Sequence, residues 1–168
     1  LQFWTEKLGS IGSELDVKRS QYFELLSQEY SNYIDLIQTY SDDVYDDIKN
    51  TTISYHRGWE PGIDFSESLS KSYTKDSAIK YTSVGPHRGD ILFTKDNVGI
   101  KDTSSMSTQI ILSLLVVVSQ SEVFHVKHGF RPIILIDDIF FGIDDKNLKL
   151  VINLLLDSKA QSFVSAPD

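Results

Sequence analysis

The sequence predicts an α/β fold, on the strength of three features. The chain opens on a long amphipathic helical stretch. Near its end, a continuous apolar run, Ile133-Ile134-Leu135-Ile136, stops in Asp137-Asp138. After the two aspartates comes an amphipathic segment and then a second short apolar run, which completes a strand–helix–strand unit. Continuous apolar strands joined by a crossover helix are the pattern of a buried parallel sheet.

From the N-terminus, residues 1 to about 49 read as helical. Trp4, Leu8, Ile11, Leu15, Tyr22, Leu26, Tyr30, Tyr33 and Ile37 recur at spacings of three and four and form one apolar stripe. No proline occurs before Pro61, and the breakers Gly9 and Gly12 sit near the start. Asp42, Asp43, Asp46 and Asp47 cluster on the polar side and read as a solvated face rather than a metal site. Residues 51–56 have the β-branched and aromatic content of a strand, punctuated by Gly58, Pro61 and Gly62. Residues 65–73 read as a short helix. Residues 90–94 and 98–100 flank Lys95-Asp96-Asn97 as a hairpin. A long helix follows over about 107–125 with Ile110, Ile111, Leu114, Leu115 and Val118 inward, and Pro132 closes the next loop. The last helix runs over about 144–157, with Leu148, Val151, Leu154 and Leu155 on one face, before a strand at 162–165.

Composition narrows the function classes. The chain has 168 residues, enough for one core or a core with a protruding helical lobe. The longest apolar run, Ile110 to Val118, is interrupted by Ser113 and falls short of the ~20 residues a bilayer span needs, so no membrane partner is expected. The start carries no signal-peptide pattern, and the absence of an initiator Met suggests a fragment or an excised domain. Zero cysteines exclude disulfides and thiolate metal sites and fit a cytoplasmic location. A net charge of −8 repels the phosphate backbone of nucleic acid, so either a basic surface lies elsewhere in the protein or DNA is not this chain's direct partner.

Chemistry concentrates at Asp137 and Asp138. The carboxyl ends of parallel strands face a ligand crevice, and an acidic residue at the end of an apolar strand needs a partner there. In nucleotide hydrolases that partner is magnesium on the β- and γ-phosphates, and a second carboxylate beside it orients or deprotonates the attacking water. The residues alone leave a second reading open, in which both aspartates cap the next helix or form a turn.

Further stretches add to this pair. Arg57-Gly58-Trp59-Glu60 follows a strand, and Gly85-Pro86-His87-Arg88-Gly89-Asp90 precedes one. A Ser/Thr/Gln-rich turn over 104–109 opens the long helix, and Phe163-Val164-Ser165 closes the chain's last strand. In this order, with Phe3-Trp4, Leu8, Ile11 and Arg19 at the start, the chain resembles the RecF family of recombination mediators. That resemblance implies the C-terminal part of an ABC/SMC-like P-loop ATPase lobe with an attached helical lobe. Residues 1–84 would form the helical lobe with short strands, and residues 85–168 the C-terminal half of the ATPase lobe.

The resemblance also implies roles. Asp137 would be the Walker B carboxylate holding Mg²⁺, and Asp138 the catalytic base. Ser105, Ser107, Thr108 and Gln109 would form the signature turn that meets ATP bound on the opposite subunit, where a helix N-terminus suits an anion. Asp144 would belong to the D-loop and Ser165 to the switch. Implied partners are gapped or single-stranded DNA, a second copy in an ATP-dependent dimer, and RecR- and RecO-like mediators, in DNA repair, replication restart and the SOS response. No GxxxxGK[ST] loop occurs, so ATP and Mg²⁺ binding would both need an N-terminal part outside these residues.

Departures from the family pattern open an alternative. The signature normally reads Ser, a variable residue, Gly, Gln; here Met106, Ser107, Thr108 and Gln109 stand there, with Ser105 or Ser107 able to substitute if the register slips. The D-loop, normally Ser-Glu-Leu-Asp, reads Phe141-Gly142-Ile143-Asp144. Both changes weaken contacts between subunits and favour a degenerate, hydrolysis-poor binding module. A helical lobe of about fifty residues, at ~1.5 Å rise per residue, is too short for the coiled arms of SMC proteins. Arg88 reads either as a phosphate or DNA contact or as an ion-pair partner of Asp90. His87 reads as structural, Arg57 and Trp59 as packing and ion-pair elements, and His125 with His128 as helix-end charge compensation.

Overall fold

The computed structural model describes residues 2–40, 46, 48–101, 103–139 and 142–165. Helices are α1 (Gln2–Gln38), α2 (Phe65–Ile79), α3 (Met106–His128) and α4 (Asp145–Asp157), with a 3₁₀ turn at Pro86–Arg88. Strands are β1 (Thr51–His56), β2 (Asp90–Lys95), β3 (Val98–Gly99), β4 (Ile134–Ile136) and β5 (Ser162–Val164). One sheet has the order β1-β2-β3, and β4 pairs with β5 in parallel. The α/β class is therefore observed. The chain divides into two compact units, Leu1–Glu24 with Ile53–Leu92 and Leu25–Thr52 with Phe93–Asp168.

In the first unit the buried side of α1 is not the apolar stripe. Gly9, Gly12 and Asp16 are buried, whereas Trp4 is 72% exposed and Leu8, Ile11, Leu15 and Tyr22 also face outward. The cause is a close helix approach rather than a helix break. A Cβ on Gly12 would stand 2.3 Å from the Phe65 ring, and one on Gly9 would stand 2.6 Å from Ser66 Oγ, so only glycine lets α2 come this near. Helix α2 runs to Ile79, past the expected 73, and stops where Lys80 turns left-handed with φ 61° and its N–H donates to Asp76 O. Trp59, Phe65 and Leu69 form the local core, with Ile63 and Val84 against them. Arg57 fulfils the expected ion-pair role: it pairs with buried Asp16 and lies over Trp59, 4.6 Å from the ring centroid.

The second unit buries the other end of the same stripe. Leu26, Tyr30, Tyr33 and Ile37 are all below a tenth exposed. Helix α3 contributes Ile111, Leu112, Leu115 and Val118, and α4 packs against it with Leu150, Val151 and Leu154. Each such side chain stabilises the unit by roughly 1.5–3 kcal/mol when fully buried. By length and composition, α3 is long and apolar enough to cross a membrane, although internal serines break its apolar run into short pieces. Nearly half of its apolar window is buried within the fold, with Leu115 and Val118 fully enclosed, as in a core helix.

The parallel pair departs from expectation in its burial. Leu135 is 75% exposed, and Phe163, Val164 and Ile133 are open as well. Among the described residues no third strand joins β4 and β5, which leaves the edges of the pair open, and the exposure of Leu135 and Phe163 leaves side chains of both strands without cover. The continuous apolar runs predict strands buried on both faces; the pairing direction is right and the enclosure is absent.

Candidate active site

Strand β4 delivers Asp137 and Asp138 at its carboxyl end, beside the end of β5. Register pairs Ile136 with Val164, which puts Ser165 level with the first aspartate. Ser165 N donates to Ile136 O at 3.0 Å and extends the ladder by one bond. Ser165 Oγ then donates to Asp137 Oδ1 at 2.6 Å and accepts from Asp138 N–H at 2.9 Å. One hydroxyl therefore orients both residues. Asp138 takes a positive φ of 53°, a turn conformation that Asp and Asn tolerate better than most residues. Both carboxylates are exposed, and Asp137 and Ser165 border an open depression of about 440 Å³ whose other walls are Leu135, Ile136, Phe163 and Val164.

Neither aspartate caps the following helix. That role belongs to Asp144, whose Oδ1 accepts from Lys146 N at 3.0 Å and from Asn147 N at 2.9 Å, while Oδ2 accepts from Asn147 Nδ2 at 2.8 Å. Hydrogen bonds from Asn147, then Lys146, hold the Asp144 carboxyl below its ordinary range. Of the two structural roles left open for Asp137 and Asp138, capping is thus excluded and a turn is present.

The turn at 104–109 is folded onto itself. Ser105 is the N-cap of α3: its Oγ accepts from Thr108 N at 3.1 Å and lies 2.9 Å from Thr108 Oγ1. Ser107 Oγ donates to Gly142 O at 2.9 Å. Gln109 Nε2 donates to Ser104 O at 3.1 Å and Lys101 O at 3.3 Å. Met106 is 64% exposed, and its side chain lies where a Cβ on Gly142 would come within 2.9 Å of its Cγ. Gly142, with φ 81°, is read from the sequence only as part of the altered D-loop; its signal is a glycine two residues before the aspartate of the next helix cap. Phe141, read as a D-loop departure, lies outside the described residues, as do Asp42, Asp43 and Asp47.

In the first unit, the turn at 85–89 is built as a structural lock. Gly85 N donates to Gly58 O at 3.0 Å, and Arg19 Nη1 donates to Pro86 O at 2.6 Å. His87 Nε2 bonds Thr82 O at 2.9 Å, the structural role expected of it. Arg88 is exposed with its guanidinium 5.8 Å from the Tyr81 ring centroid, while Asp90 Oδ1 accepts from Ile91 N–H. Among the described residues no group of three His, Asp or Glu forms a ready-made metal cage. Asp137, Asp138 and Ser165 still fit a magnesium ion chemically, because Mg²⁺ takes one or two carboxylates and completes its shell with water and phosphate oxygens.

The DNA replication and repair protein RecF of Thioalkalivibrio sulfidiphilus is 30% identical over 169 residues, covering 99% of this chain and 44% of that one. The chain is RecF-like along its whole length. RecF of Salmonella arizonae is 28% identical over 166 residues, again covering 99% of this chain and 44% of that protein. A structure of the recombination mediator RecF with ATP, from the RecFOR pathway, superposes with a TM-score of 0.71 at 23% identity, over 100% of this chain and 44% of that one. A RecF–ATPrS structure gives the same TM-score at 21% identity. The fold is that of the C-terminal region of RecF, and the chain spans 44% of the length of these RecF relatives. No protein-family model matches it.

Proposed function

We propose that this chain supplies the Walker B pair, signature turn, D-loop and switch of an ATP-dependent DNA-binding recombination mediator that acts in the cytoplasm in DNA repair. In this reading residues 1–84 serve as the helical lobe and 85–168 as the C-terminal half of the ATPase lobe. The observation that carries the reading is the Ser165 hydroxyl, which links Asp137 and Asp138 at the ends of two parallel strands. A bridge of this kind fixes the first carboxylate for metal and places the second next to it.

Asp137 would hold Mg²⁺, which when bound neutralises charge on the phosphates of ATP. Asp138 would accept the proton of the attacking water, a role suited to an exposed carboxylate one residue from the metal ligand. Asp137 Oδ1 is already shared with Ser165, so Oδ2 is the oxygen left for the ion. The N-terminus of α3, with Ser105, Ser107, Thr108 and Gln109, would face ATP held by a second copy, with Asp144 at the same interface. Gapped or single-stranded DNA and RecR- and RecO-like mediators are the partners of that dimer, and Arg88 is a phosphate or DNA contact. The relatives' greater length leaves room for the phosphate-binding loop and a basic DNA surface outside this chain, which reconciles the role with a net charge of −8.

One observation favours a second reading, a hydrolysis-poor RecF-like binding module. The hydroxyls of Ser105 and Ser107 and the amide of Gln109 are engaged within the fold, and Met106 projects outward where the family has serine. Turnover of Mg²⁺-ATP by the full-length protein and its Asp138→Asn variant separates the two. Loss of turnover with ATP binding retained supports the first reading; equal turnover removes Asp138 as the base, and absence of turnover in the unmodified protein supports the second.

A further inference from the structure

The first unit holds a feature that the proposed ATPase site does not use. A cavity of about 230 Å³ opens between the start of α1 and the end of α2, lined by Leu8, Leu69, Tyr73, Asp76, Lys80 and Tyr81. This is smaller than the ~300–1,000 Å³ that encloses a cofactor, and its walls are of two kinds. Tyr73 and Tyr81 are 52% and 56% exposed, two half-open rings at one mouth. Lys80 is exposed in a left-handed conformation that ends α2, and Arg88 lies over Tyr81.

Charge around this cavity is less acidic than in the chain as a whole. Residues 76–90 set Lys80 and Arg88 against Asp76 and Asp90 and are balanced overall, whereas the whole chain carries eight more acidic than basic residues. The one carboxylate in the lining is already engaged: Asp76 Oδ1 accepts from Ser83 N at 3.1 Å, and Oδ2 accepts from Ser72 Oγ at 2.8 Å. The arrangement therefore offers flat aromatic surface together with cations, and its acid faces inward to its own loop. Lys71 does not add to this, because it pairs with Glu67.

We infer that this cavity is a subsite for one unstacked base of a single nucleic-acid strand, with Tyr73 or Tyr81 against the base and Lys80 and Arg88 on the flanking phosphates. Aromatic rings bind bases of any sequence through their faces, and cations beside them track the backbone. A duplex keeps its bases stacked inside and has none to offer, so the site selects single strands over paired ones. The inference rests on the proposed DNA-binding role, and it assigns that role a place on this chain.

Fluorescence anisotropy of the full-length protein with a fluorescein-labelled oligo(dT), at several salt concentrations, tests it. Tyr81→Ala and Tyr73→Ala are expected to weaken binding about tenfold in at least one case, and Tyr81→Phe to keep it. Lys80→Gln and Arg88→Gln should each lower the slope of log affinity against log salt by about 0.7. Wild-type binding with unchanged affinity and slope in all these variants overturns the subsite alone. The subsite is equally overturned if the variants change oligomeric state but not DNA affinity, because the cavity then receives protein. No binding by the wild-type protein overturns the DNA-binding role and the subsite together.

Discussion

The end of β4 and the start of α3 are the two regions in which the proposed chemistry would reside, and they are built in opposite ways. At the strand end, one hydroxyl sets Asp137 and Asp138 and leaves both carboxylates open. At the helix start, Ser105, Ser107, Thr108 and Gln109 all use their side chains within the fold. A phosphate arriving there must rely on backbone N–H groups or displace bonds worth about 0.5–1.5 kcal/mol each. The carboxylate half is thus arranged for a ligand, while the signature half is arranged for its own stability. In the proposed reading, retained acid chemistry and weakened contact with a second subunit are compatible in one chain.

Removing the proposed base from the carboxylate half should cost the most. Asp138→Asn is expected to reduce turnover by about 10²–10⁴, the range for loss of a general base, measured as phosphate release by the full-length protein. Asn tolerates the positive φ of this position, so the change tests chemistry rather than backbone strain. Repairing the signature half should have a more modest consequence. Met106→Ser combined with Thr108→Gly restores the family pattern and should raise turnover or ATP-dependent dimerisation by about tenfold, a gain of ~1.4 kcal/mol. Relative to threonine the glycine costs about 0.3 kcal/mol in helix propensity and removes the Ser105–Thr108 hydroxyl contact, visible as a lower melting temperature.

A slighter change is expected at the helix cap next to that turn. Asp144→Ala should lower the melting temperature by a few degrees at neutral pH, followed by circular dichroism. Hydrogen bonds from Asn147 and Lys146 keep the folded-state carboxyl below its ordinary value, so its stabilisation is present above about pH 4 and is lost as pH falls through the lower, folded value. The gap between wild type and variant should therefore close on acidification, and a gap that persists there would show that the cap acts without its charge.

Much of the fold was legible because its signals are local. The β4 run, the hairpin of β2 and β3, and the apolar spacing of α3 and α4 are each contained within one element, and each element forms where its pattern lies. The buried face of α1 was not legible. Gly9 and Gly12 have no side chain to register in an apolar stripe, so a close approach read as a helix break and Trp4, Leu8 and Ile11 were turned to the wrong side. Strand burial was equally hidden, since cover for Leu135 and Phe163 depends on neighbours that their own sequence does not encode. At the candidate site the aspartates stood out by type and place. The Ser165 bond spans 28 positions and the Ser107–Gly142 bond 35, and such links appear only once the chain is folded.

Whether the carboxylate pair works while the signature contact is weak can be read from ATP turnover of the full-length protein with and without gapped DNA, with its mass measured in the same samples. Slow Mg²⁺-dependent turnover that DNA raises is expected, with dimers forming in ATP but dissociating readily on dilution. Tight ATP binding with neither turnover nor dimers at any protein concentration would refute this division of roles.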